Sequence, residues 1–92
     1  MGLRLSMFAR VWLLAQDAET IELFAAAMRR LPEVVECYIM LGDSDALLRM
    51  VVRDLDDYRR FQITHLTKKN GVQRVKTDIP SEVLKQTFAL PI

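Results

Sequence analysis

The stretch "CYIMLGDSDALLRM", Cys37 to Met50, sets two carboxylates, Asp43 and Asp45, between two strongly apolar runs. A hairpin turn needs only one Asp and one Gly, and solvent-facing turn chemistry is the plain account of the pair. The sharper account is a small-ligand site, in which a negative charge stands beside exposed backbone amides. The other reactive side chains are solitary. Cys37 is the only cysteine and His65 the only histidine, so a disulfide, a Cys/His metal site and a nucleophile–base pair all lack partners. Cys37 reads as a small buried hydrophobe in a strand, and His65 as a partly exposed helix residue. No catalytic residue, metal ligand or cofactor site is expected.

Composition narrows the class. Of the 92 residues, 51% are hydrophobic and 27% charged, which describes a globular chain rather than a disordered one. One domain over residues 1–92 is expected, burying about 60–65% of its unfolded surface. The net charge of +1 gives no field for a nucleic acid. The basic stretch "RRFQITHLTKK" follows acids directly and reads as a solvated helix face, so direct DNA binding is not expected. No apolar run approaches the roughly 20 residues of a membrane span. Arg10 splits the only candidate signal-peptide core, so the cytoplasm is the expected compartment.

The elements that position the aspartates follow from periodicity. In "GLRLSMFARVWLLA", Leu3, Leu5, Met7, Ala9, Val11 and Leu13 share one strand face. "QDAETIELFAAAMRRLP" switches to helical spacing, with Asp17 as N-cap and Pro32 as the stop. "VVECYIML" and "ALLRMVVR" form a hairpin around Gly42 to Asp45, in a register pairing Leu41 with Ala46, Ile39 with Leu48, Cys37 with Met50 and Val35 with Val52. Asp54 caps a second helix, "LDDYRRFQITHLTKK", which Lys68, Lys69 and Asn70-Gly71 close. "VQRVKTDI" is the fourth strand. Phe24 and Phe61 each follow their capping Asp by the same interval, which hints at duplication. The order β-α-β-β-α-β with right-handed crossovers gives an α+β ferredoxin-like plait, a four-stranded antiparallel sheet with both helices on one face.

The other sheet face then carries Phe8, Trp12, Tyr38, Met40, Leu47 and Val51 among Arg10, Glu36, Arg49 and Arg53. It is too apolar to leave in water and too charged for a closed core. A second copy is the economical cover. A homodimer is expected, with Phe8, Trp12, Tyr38, Leu47 and Arg49 in or beside the interface and Tyr38 opposite Arg49.

These residues also carry a resemblance. Pro32-Glu33-Val34 leading to Glu36-Cys37-Tyr38, then Gly42-Asp43-x-Asp45 before Leu47-Leu48, form its first half. Asp54-Leu55 with Tyr58 and Phe61, then Gly71-Val72 with Thr77, complete it. The chain resembles the C-terminal effector domain of the leucine-responsive/asparagine (Lrp/AsnC) regulator family over nearly its whole length. The resemblance implies a dimeric α+β barrel, often assembled into octamers, with a small amino acid bound between subunits. It implies a site at Met40, Leu41, Gly42, Asp43, Ser44, Asp45 and Ala46, completed by Arg59, Ile63 and Thr77 of a neighbour. Asp43 or Asp45 would pair the ligand ammonium, and backbone N–H groups its carboxylate. Two positions depart from the family pattern: Ala46, where an aromatic is common, and Leu41, where a small or hydroxylated residue is usual. Together they imply a roomier, more apolar pocket, or one that no longer binds amino acids. The family's helix-turn-helix has no counterpart before the first strand, so a stand-alone effector domain and an excised fragment both fit, and full-length family members are candidate partners. The alternatives are a ligand-free assembly module and a cofactor-free dimeric-barrel enzyme.

Overall fold

The computed structural model describes residues 4–82, 84 and 85. Seven elements follow one another: β1 (Leu5–Leu13), α1 (Ala18–Arg29), β2 (Val34–Ile39), β3 (Ala46–Val52), α2 (Leu55–His65), a 3₁₀ turn (Lys68–Asn70) and β4 (Val72–Asp78). The strands form one antiparallel sheet in the order β2-β3-β1-β4. That order, with two helical crossovers, is the ferredoxin-like plait expected from the periodicities. The expected strand at Leu3 lies outside the described residues, as does most of the tail.

Alternation builds the core. Met7, Ala9, Val11 and Leu13 of β1 and Ala46, Leu48, Met50 and Val52 of β3 are buried. Phe24, Ala27 and Met28 of α1 and Tyr58 and Phe61 of α2 are buried with them in one cluster. Both phenylalanines of the suspected repeat therefore do the same work, each seven residues after its cap. The caps are as expected. Asp17 accepts from the Thr20 N–H at 2.7 Å and Asp54 from the Asp57 N–H at 2.8 Å. The Thr20 hydrogen bond also holds the Asp17 carboxyl below the usual carboxylate range.

Three expectations are corrected. The hairpin register is offset by two from the one expected. Tyr38 faces Leu47, Cys37 faces Leu48 and Ile39 faces Ala46, with a bulge between Val34 and Glu36. The strand therefore ends at Ile39, and a six-residue loop, Met40–Asp45, closes on the hydrogen bond from Met40 N to Asp45 O at 2.9 Å. An offset of two keeps Glu36 to Ile39 on their expected faces, but the bulge gives Val34 the core-side place expected of Val35, and Met40, expected on the open face, falls in the loop. Arg49 consequently sits against Glu36 at 3.8 Å, not against Tyr38.

The second correction concerns β2, which lies at the sheet edge where α1 covers it only in part. Val35, Ile39 and Leu41 are exposed there, and so is Cys37. Desolvation still pushes the Cys37 thiol up and so disfavours the thiolate, and the Arg29 guanidinium partly opposes this.

The third is the end of α2. The helix stops at His65 rather than at Lys69, because Leu66 leaves helical geometry and turns into the core. The Asn70 side chain then donates to the His65 carbonyl at 2.8 Å, and Gly71 ends the 3₁₀ turn at φ +84°. A Cβ at Gly71 would stand 3.3 Å from Thr20 Cγ2 in a conformation that L-residues avoid. Gly71→Ala is expected to cost about 1–2 kcal/mol, read as a lower urea midpoint at unchanged m-value.

The open sheet face holds Phe8, Arg10 and Trp12 of β1, Leu47, Arg49 and Val51 of β3, and Glu36 and Tyr38 of β2. Strand β4 adds Arg74, Lys76 and Asp78 opposite Trp12, Arg10 and Phe8. Arg10 pairs with Asp78 at 3.2 Å.

Candidate functional site

Antiparallel pairing of β1 with β3 brings the end of β1 beside the Met40–Asp45 loop. Asp45 fastens the two together. Its carboxylate accepts from the Leu13 N–H at 2.9 Å and from Gln16 Nε2 at 2.8 Å. Its own N–H donates to the Val11 carbonyl at 2.9 Å. Asp43 contributes differently: its backbone carbonyl accepts from Trp12 Nε1 at 2.6 Å, while the residue is exposed. The two carboxylates that opened the sequence question thus have separate duties.

Between the loop and the start of α1 lies a cavity of about 300 Å³. Leu13, Ile21, Ile39, Met40 and Leu41 make its apolar walls, and Gln16 and Asp45 supply the polar groups. Gly42 reaches it with φ +150° and open space where a Cβ would stand, so the backbone is accessible there. Leu41 is fully exposed at the rim. Both oxygens of Asp45 are engaged, yet a carboxylate offers about four acceptor sites, so a cation in the cavity can still find it.

Of the expected effector residues, Met40, Leu41, Gly42 and Asp45 line this cavity. Ser44 of the loop and Ala46 at the start of β3 are buried. Asp43 borders a different hollow, of about 470 Å³, shared with Arg10, Trp12, Arg74 and Lys76. Arg59 and Ile63 lie exposed on α2, and Thr77 lies on β4; none of the three lines the loop cavity of its own protomer. The Thr77 hydroxyl is hydrogen-bonded to the Tyr58 hydroxyl. Burial pushes the Tyr58 phenol up, and the Thr77 bond partly offsets it. Leu13, Gln16 and Ile21 were not foreseen as site residues. Topology held the signal, since the residues after β1 must lie beside the β2–β3 loop once β1 and β3 pair antiparallel.

Among the described residues no group of three or more His, Cys, Asp or Glu could hold a metal ion, and no helix is long and apolar enough to cross a membrane.

Comparison with known proteins gives consistent results. The family model for the Lrp/AsnC ligand binding domain matches residues 6–90. The transcriptional regulator AzlB of Bacillus subtilis is 32% identical over 92 residues, all of this chain and 59% of the relative. The leucine-responsive regulatory protein of Haemophilus influenzae is 34% identical over 83 residues, 90% of this chain and 50% of the relative. The chain thus spans about half the length of the curated relatives it matches. Among solved structures, a transcriptional regulator from Neisseria meningitidis in complex with L-Met superposes with a TM-score of 0.86 at 31% identity, covering 95% of this chain and 56% of the other. An AsnC family transcriptional regulator from Agrobacterium tumefaciens superposes at 0.84 and 31% identity, covering 98% and 58%.

Proposed function

Since the chain belongs to the Lrp/AsnC ligand-binding domain family, we propose that it senses a free amino acid and couples that binding to assembly, within or alongside a transcriptional regulator. The observation that carries this is the cavity at the Met40–Asp45 loop, with its apolar walls, an accessible backbone at Gly42 and one carboxylate, Asp45. An amino-acid ligand would place its ammonium at Asp45, its carboxylate at loop N–H groups and its side chain against Ile21, Ile39 and Met40. Those walls favour an aliphatic or thioether side chain, and the Neisseria meningitidis relative is a complex with L-Met. Arg59, Ile63 and Thr77 of a neighbouring copy would close the open side. The open sheet face pairs two copies into a dimeric barrel, and further contacts build an octamer. Residues 1–92 act as one effector-binding and assembly domain, in the cytoplasm and without a cofactor. The relatives are transcriptional regulators, which favours a regulatory over a catalytic role. DNA contact belongs to a partner or to another part of the protein.

Calorimetric titration with the twenty amino acids tests the reading. At least one apolar amino acid is expected to bind at or below millimolar concentration, with light scattering showing a shift among assemblies, because a ligand held between subunits favours the assembled state. Assembly without binding of any amino acid would replace this reading with the ligand-free assembly module.

A further inference from the structure

We propose that Trp12 is a positioning residue for the effector loop, and that through it changes in the loop reach the open sheet face. This rests on the effector reading and adds the residue that couples the two surfaces. Trp12 and Leu13 are consecutive, and they approach the loop from opposite sides of the sheet. Leu13 lines the cavity and gives its N–H to the Asp45 carboxylate. Trp12 comes from the open face and gives its indole N–H to the Asp43 carbonyl at 2.6 Å. The pairing of β1 with β4 shifts register between these two residues, and such irregularities re-aim side chains at strand ends.

The loop depends on this contact. Asp45 anchors one end, and the Met40–Asp45 hydrogen bond closes its base. At the tip, Gly42 meets no heavy atom within 4 Å of its would-be Cβ, and Leu41 is fully exposed. Packing holds Ser44, but it does not hold the tip at Leu41 and Gly42. The indole bond to Asp43, next to Gly42, does. On its other side the indole ring carries the Arg74 guanidinium, 4.1 Å from the ring centroid. A ligand that draws Gly42 toward the cavity displaces the Asp43 carbonyl, and hydrogen bonds weaken steeply with such displacement. The indole and its stacked Arg74 then reset on the face that the partner copy would cover. Linkage makes the effect reciprocal, so altering Trp12 changes ligand affinity.

Trp12 is the only tryptophan, so its indole N–H gives a single resonance. The expected signal is shifted downfield and slow to exchange with water. Asp45→Asn, with no ligand present, should move it and speed its exchange. Titration with L-methionine should move it as well. Trp12→Phe keeps a smaller aromatic ring under Arg74 and removes the indole N–H donor. Calorimetry should show L-methionine binding to it about three- to tenfold more weakly, the scale of one neutral hydrogen bond. Sedimentation at the titration concentration separates this loss from a change of assembly. An indole proton that exchanges freely and ignores Asp45→Asn overturns the proposal, as does unaltered L-methionine affinity in Trp12→Phe. If L-methionine binds neither protein, its role as effector falls, and the indole response to Asp45→Asn alone decides for or against the role of Trp12.

Discussion

Replacement of Asp45 by alanine is expected to lower stability by about 2–4 kcal/mol and to abolish amino-acid binding, whereas Asp43→Ala should stay within about 0.5 kcal/mol of the native protein. The difference lies in what each carboxylate touches. Asp45 receives the part-buried Leu13 N–H at 2.9 Å and the exposed Gln16 amide at 2.8 Å. Hydrogen bonds to a charged acceptor contribute about 1.5–3 kcal/mol, and an unpaired, partly buried N–H adds a desolvation cost of similar size. The Gln16 bond is exposed and contributes little. Asp43 works through its backbone carbonyl, which alanine retains. Asp45→Asn should fall between the two, since it keeps one acceptor oxygen and loses the charge. Urea unfolding of the three variants gives the order directly. Equal losses in Asp43→Ala and Asp45→Ala would show that the Asp45 contacts are not what holds the loop.

That asymmetry was out of reach from the sequence, for a physical reason. The residues Gly42-Asp43-Ser44-Asp45 are four local letters, but the partners of Asp45 lie 29 and 32 residues away on the segment leaving β1. Turn chemistry read locally places both carboxylates alike. The same distant contacts tie the loop to β1, in a hairpin whose register lies two residues from the simplest pairing. Where structure follows from short-range period and packing, the sequence was sufficient. Alternation in Met7, Ala9, Val11 and Leu13 and the matched positions of Phe24 and Phe61 identify the buried faces. The end of α2 lay between these cases. Asn70-Gly71 does stop the chain in a left-handed turn, but the helix had already ended, because burying Leu66 outweighs continuing the helix to Lys69. The β2 residues Cys37 and Ile39 alternate like core and are nevertheless exposed, since alternation says which face a residue takes and not whether anything covers it.

The open face leads to the other large effect. Leu47→Arg is expected to weaken dimerisation by about 10²- to 10⁴-fold while leaving the protomer folded. Leu47 sits on the open face with Arg10 and Tyr38 as its cross-strand neighbours. Its flanking residues, Ala46 and Leu48, carry the core from the opposite face and are fully buried. The substitution therefore leaves the helix-packed side untouched. On the open face it adds a guanidinium to Arg10, Arg49, Arg74 and Lys76, where Glu36 and Asp78 each stand beside an arginine already and Asp43 borders the hollow of Arg10, Arg74 and Lys76. Covering an unpaired charge costs about 3–5 kcal/mol, and each 1.4 kcal/mol is tenfold in affinity. Sedimentation equilibrium over a micromolar series should show a dimer or larger assembly and no monomer for the native chain and a monomer for the variant, with similar urea midpoints after allowance for the lost association. A native monomer, or a variant that dimerises equally well, would sink the pairing of sheet faces. The monomeric variant also tests how the effector site is built. Arg59, Ile63 and Thr77 do not reach the loop cavity of their own protomer. If copies of these residues close the cavity, the variant should lose L-methionine affinity in step with assembly, and recover neither when the protein concentration is raised within the micromolar range. Full affinity in the monomer would place every essential contact in one chain, with Asp45 and the apolar walls sufficient by themselves.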